Sequence, residues 1–186
     1  MPDFVKILRK MVDPEPLHGY MLAKSKTLTL LQVFNWDFMD FNGYTVLRNR
    51  DITRTFLLGP GAFVSRALAL KGVEPTPVEG IDIESWRSLI RTASASFPVI
   101  TIHQEVLEAC FIGRLSLISE NSFGLTEIDP GARWNRARSY RFEDLTKVDF
   151  GGGYEAALVA VSEMEAKPKK SGAKNRKSSP RVLRAE

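Results

Sequence analysis

Apolar residues crowd the run "LHGYMLAKSKTLTLLQVFN" and give way to polar ones only around Ser25 and Lys26. Short stretches rich in β-branched and aromatic residues, bounded by polar turns, predict strands. This run therefore predicts two strands joined by a tight turn. An aromatic stretch, "WDFMDF", follows, then a third strand, "GYTVLRN", and a closing segment, "RDITRTF". The same succession returns later in the chain. "FIGRLSLISENSFGLTEID" reads as two strands around "SEN", "PGARWNRA" as a loop, "RSYRF" as a strand and "EDLTKVDF" as a closing segment. "FPVITIHQEV" alternates as a strand, whereas "PDFVKILRKMV" fits a strand or a helix. Three stretches carry a helical period: "GPGAFVSRALAL", "GGGYEAALVAVSEM" and "IDIESWRSLIRTASAS". In the last, Asp82 is the expected N-cap, with Trp86, Leu89 and Ile90 on one face.

The two successions align position by position. Gly19 and Gly113, Ser25 and Ser119, and Leu31 and Leu125 lie 94 positions apart. Arg48 and Arg141, Asp51 and Asp144, and Thr53 and Thr146 lie 93 apart. One deleted loop residue reconciles the offsets, and an internal duplication is expected. The chain then divides into a first small β-domain with a trailing helix (1–70), a linker and helix (71–97), a second small β-domain with a trailing helix (98–164) and a tail (165–186).

Short strands linked by tight turns favour sandwiches and small barrels. An opening strand with a central glycine, a polar hairpin, a strand of the type "LTLLQVF" and the Asp51-Ile52 or Asp144-Leu145 pair before a last strand together resemble SH3-like or Sm-like small barrels. "GYTVLRNRDI" also resembles uncharacterised bacterial proteins. The resemblance implies a mainly β fold with peripheral helices (α+β), built as two tandem, partly open barrels. The glycine-centred and RNA-contacting motifs of the Sm family are not visible, so it carries over no binding residue.

Charge divides the chain differently. From Lys167 onward eight basic residues stand against Glu186, a net +7, while the whole chain is +4, so residues 1–166 sum to −3. A tail of Lys, Ser, Gly and Pro cannot bury enough apolar surface to offset the entropy of ordering. It is expected to be disordered alone, with Lys167, Lys169, Lys170, Lys174, Arg176 and Lys177 as a polyanion-binding set. No apolar run reaches the roughly 20 residues of a membrane span, and the start lacks a signal-peptide pattern. A cytoplasmic location without membrane association is expected. Cys110 is the single cysteine, which excludes an internal disulfide; it reads as a small buried hydrophobe.

No phosphate-binding or dinucleotide-binding glycine motif and no nucleophile elbow is present, so no cofactor and no catalytic residue are expected. The glycines at 59–61 and 151–153 read as turns into helices, with an anion cradle as the alternative. His103 and Glu105 share a strand face and make half a metal site at most. The aromatic loops carry more. One sets Trp36 and Phe38 beside Asp37 and Asp40; the other sets Trp134 among Arg133, Arg136 and Arg138. Trp, Tyr and Arg dominate binding energy at interfaces. A non-enzymatic adaptor that engages a protein partner through these loops is the first reading. A nucleic-acid- or ribosome-associated protein using the arginines and the tail is the alternative. Two structural roles compete: the aromatics plug the barrel ends, or the acidic and basic loops face each other.

Overall fold

A computed structural model describes residues 3–59 and 62–166. The first half holds β1 (Asp3–Arg9), β2 (Asp13–Lys24), β3 (Leu28–Asn35), β4 (Asp40–Arg48), β5 (Arg54–Leu57) and helix α1 (Phe63–Lys71). Helix α2 (Trp86–Ser96) comes next. The second half holds β6 (Ile100–Gln104), β7 (Ala109–Ile118), β8 (Ser122–Ile128), β9 (Trp134–Arg141), β10 (Lys147–Phe150) and helix α3 (Gly153–Ala166). A 3-10 turn precedes the last strand of each half, at Asn49–Asp51 and Phe142–Asp144. The ambiguous "PDFVKILRKMV" is strand at its start, because Val5 and Ile7 alternate into the core.

The ten strands form one antiparallel sheet in the order β5-β1-β2-β3-β4-β10-β6-β7-β8-β9. Its first and last five strands follow the same path: the closing strand pairs with the opening strand, and the rest meander outward. Pairing registers match as well. Gly19 faces Val5 and Val33, and Gly113 faces Ile100 and Glu127. The β2–β3 ladder slips between Met21 and Ala23, and the β7–β8 ladder between Leu115 and Leu117. Such bulges bend a sheet sharply. A Cβ on Gly19 would lie 2.1 Å from the Gln32 carbonyl oxygen, and one on Gly113 would lie 2.5 Å from that of Thr126. Both glycines are required by this close approach of backbones. The sheet does not close on itself: β5 and β9 are its free edges, and β4 pairs with β10 to join the halves. The fold is thus mainly β, as expected, and consists of one continuous, unclosed sheet with three helices.

Equivalent side chains fill equivalent interiors. Val5, Ile7, Leu31 and Leu47 form the buried cluster of the first half. Their counterparts Ile100, Ile102, Leu125 and Tyr140 are buried in the second. There the cluster continues across the seam to Leu28, Leu30 and Val46 and to Leu89, Ile90 and Ala93 of α2. Helices α1 and α3 cover the outer faces, through Leu68 against Phe4 and Phe34 and through Leu158 against Ile128.

The expected N-cap Asp82 is corrected to Ser85. Ser85 Oγ accepts the Ser88 N–H at 3.1 Å, and Ser88 Oγ accepts that of Ser85 at 3.1 Å. This reciprocal box satisfies two N–H groups at the helix entry. Asp82 accepts the Glu84 N–H instead.

Candidate functional site

The seam between the halves opens at one end into a cleft of about 820 Å³. Each half supplies the same two loops to it: the turn between its second and third strands and the 3-10 turn before its last strand. In the first half the Asn49 N–H donates to the Thr27 carbonyl, and in the second the Phe142 N–H donates to that of Asn121. The N-terminus of α2 enters between them, so Trp86 and Phe142 lie half-buried in the wall. Lys26, Arg48, Arg50, Arg87 and Arg141 line the cleft, against Glu84, Glu120 and Glu143.

These cations are not equivalent. Arg48 is spent on structure: its Nε and Nη2 donate to Asp51 at 2.7 and 3.1 Å, and its Nη1 reaches the Glu143 carbonyl at 3.2 Å. Asp51 and Asp144 end equivalent 3-10 turns, and Asp51 braces its turn through this guanidinium. Arg141 pairs with Glu143. Lys26, Arg50 and Arg87 have no carboxylate partner among the described residues. The first N–H groups of α2 add partial positive charge on the same side.

Two ionic clusters join strands of the two halves. Arg9, which is 1% exposed, donates to Glu105 at 2.7 and 2.8 Å and so ties the halves together. Burial pushes the Glu105 carboxyl up, but Arg9, the Thr146 hydroxyl and the Lys147 charge outweigh it and hold the group below its ordinary range. At the seam Asp149 accepts from Thr45 at 2.5 Å and bonds His103 at 2.8 Å, with Lys147 at 3.5 Å. Burial again acts upward, and His103, Lys147 and Thr45 prevail and depress the Asp149 pKa. His103 and Glu105 therefore do not form a half-site, since β6 ends at Gln104 and the two side chains serve different partners. No cluster suited to a metal ion occurs among the described residues.

The sequence-predicted residues fall elsewhere. Trp36, Asp37, Phe38 and Asp40 lie in or beside the β3–β4 loop, with Trp36 44% and Phe38 75% exposed. Asn35 Oδ1 accepts the Asp37 and Phe38 N–H groups, and Lys71 caps the Phe38 and Met39 carbonyls. This loop is shaped, and Trp36 rests edge-on against His18 and Phe34. The second predicted loop is corrected: Trp134, Arg136 and Arg138 belong to β9, an edge strand, and only Arg133 precedes it. Trp134 packs against Ile128 and Leu158 under the Arg114 guanidinium, 3.8 Å from its ring centroid. Its counterpart is Phe41, not Trp36, because Trp134 faces Ile128 as Phe41 faces Phe34. The acidic and basic loops do not meet through ion pairs among the described residues. Arg133 pairs with Asp129, and Arg138 with Glu127.

Cys110, on β7, is exposed, contrary to expectation, and partial desolvation of its thiol together with the Asp149 charge raises its pKa. Gly153 donates its N–H to Asn42 Oδ1 at 2.8 Å, so a side chain takes the place of an anion at the α3 entry. The polyanion-binding set from Lys167 to Lys177 lies outside the described residues. The cleft was missed because its cations come from four separate segments; the paired turns were visible, but not their convergence.

Comparisons with protein families, with curated proteins and with solved structures find no match to this chain.

Proposed function

We propose that the chain is a non-enzymatic binding module made of two fused copies of one SH3-like or Sm-like unit, and that its seam cleft holds single-stranded nucleic acid. What carries the reading is the convergence in one cleft of Trp86, Phe142, the start of α2 and the unpaired Lys26, Arg50 and Arg87. Aromatic rings stack on bases without regard to sequence, while cations and helix N-termini take phosphates. The repeated loop pair gives the cleft two similar walls, which suits a ligand that itself repeats. The matched strand paths and interior residues support the duplication.

Fluorescence anisotropy of a labelled single-stranded oligonucleotide tests this. With three or four phosphates neutralised, the logarithm of affinity should fall with that of salt at a slope of about −2 to −3. Arg50→Glu with Arg87→Glu should abolish binding without changing the unfolding temperature. Binding that tolerates this reversal would remove the cleft from the account.

A second surface is favoured by one observation. Trp36 and Phe38 are exposed on a loop that side-chain hydrogen bonds hold in shape, which suits a protein partner docking by apolar contact.

A further inference from the structure

The strand β9 ends the sheet, yet its counterpart in the first half does not stand at an edge. There β4 takes β10 as its neighbour, with Leu47 opposite Lys147, Val46 opposite Val148, Thr45 opposite Asp149 and Tyr44 opposite Phe150. The same positions on β9 are Tyr140, Ser139, Arg138 and Ala137, with no strand beyond them among the described residues. We infer that this edge accepts an acidic peptide from another protein, added as an eleventh antiparallel strand in the register that β10 uses on β4.

Two features select that occupant. The first is charge. Arg136, Arg138 and Arg141 are exposed along the edge, and Arg136 has no carboxylate partner among the described residues. In the register of the seam, Asp149 stands across from Thr45; the equivalent place faces Arg138, where an incoming carboxylate would meet a guanidinium. Glu127 already holds Arg138 from the β8 side at 3.5 Å. The second feature is the floor beside the edge. In the first half Leu28, Leu30 and Val46 are buried in the core shared with α2. Their counterparts Ser122, Gly124 and Ser139 line an open groove of about 280 Å³ together with Ser116 and Ser119. Leu117 and Phe123 also line it and its surface is mainly apolar, so an alternating peptide would set its apolar side chains there and its carboxylates against the arginines. A second copy of the chain is a poor occupant, since both its free edges, β5 "RTFL" and β9 "WNRARSYR", are basic. Main-chain hydrogen bonds would supply affinity and the arginines the choice of partner.

The test uses the full chain and a fluorescein-labelled peptide of alternating Asp and Val, about eight residues long to match a strand. The proposal expects saturable binding, raised amide-exchange protection along 136–141, and no binding of an alternating Lys and Val peptide. Proline at every second position should abolish binding by removing donors from the incoming strand. Arg136→Glu with Arg138→Glu should weaken binding at least about tenfold. If that pair perturbs folding, Arg136→Ser alone, at an exposed side chain without an ion-pair partner, should still weaken it measurably. Failure of the acidic peptide to bind, equal binding of the basic peptide, or unchanged affinity in the variants would overturn the proposal. So would self-association of the wild type that the acidic peptide does not compete away, because a second copy would then hold the edge. Displacement of the peptide by an oligonucleotide while Arg50→Glu with Arg87→Glu is in place would assign the edge to nucleic acid instead.

Discussion

The two halves share strand path, bulges and interior side chains, and they differ where each meets its next neighbour. Leu28, Leu30 and Val46 are buried at the seam, and their counterparts Ser122, Gly124 and Ser139 face an open groove. One scaffold thus presents a covered flank to α2 and β10 and an open, serine-bearing flank to solvent. The interior is set by the unit itself, whereas the flank is set by what covers it. The cleft belongs to the covered flank, because only there do both loop pairs and the start of α2 converge.

The comparison breaks most readily at the ion pair between the halves. Glu105→Gln should destabilise the chain by about 3 kcal/mol, because it leaves the buried Arg9 charge without its main partner. The pH dependence is specific. Because its pKa is depressed on folding, Glu105 contributes stability above its ordinary value of 4.5, and that contribution is lost as pH falls through the folded value. Urea unfolding across this range should show the loss in wild type and a flatter profile in Glu105→Gln.

Leu30→Ala should follow, at about 2–3 kcal/mol for a buried leucine that loses its packing. The counterpart change, Gly124→Ala, should cost less than about 1 kcal/mol, because the new Cβ is crowded by the Ser116 hydroxyl at 2.6 Å, which can turn away, and otherwise meets Leu117 and the Arg138 carbonyl at ordinary contact distances. Equal costs would show that the flanks do not differ as described. Gly19→Ala and Gly113→Ala sharpen the shared side of the comparison. Each places a methyl against a fixed carbonyl and should cost about 1–3 kcal/mol, with the tighter Gly19 the worse. Trp36→Ala, at an exposed position, should change stability least, by less than about 1 kcal/mol.

Much of this fold was legible in the strand pattern, since apolar and β-branched runs bounded by polar turns mark β2, β3, β7 and β8 directly. Internal comparison of the sequence also located Gly19 with Gly113 and Asp51 with Asp144. It found only the end of β9, as "RSYRF", and failed at "WNRA", which lacks the apolar alternation of a half-buried strand because the edge exposes nearly all of it. It failed again at α2, where Asp82 and Ser85 both offer a capping oxygen and only the reciprocal Ser88 decides between them. The join of β4 to β10 could not be read, because a pairing between halves leaves no local period. The cleft depends on that join and stayed hidden with it.

Amide hydrogen exchange of the full chain, with and without a saturating single-stranded oligonucleotide, tests the seam cleft most directly. The account predicts added protection at residues 26–28, 49–51, 86–88, 121 and 142–143, with the β3–β4 loop at 36–40 unchanged. Protection confined to that loop, or to β9, would contradict it.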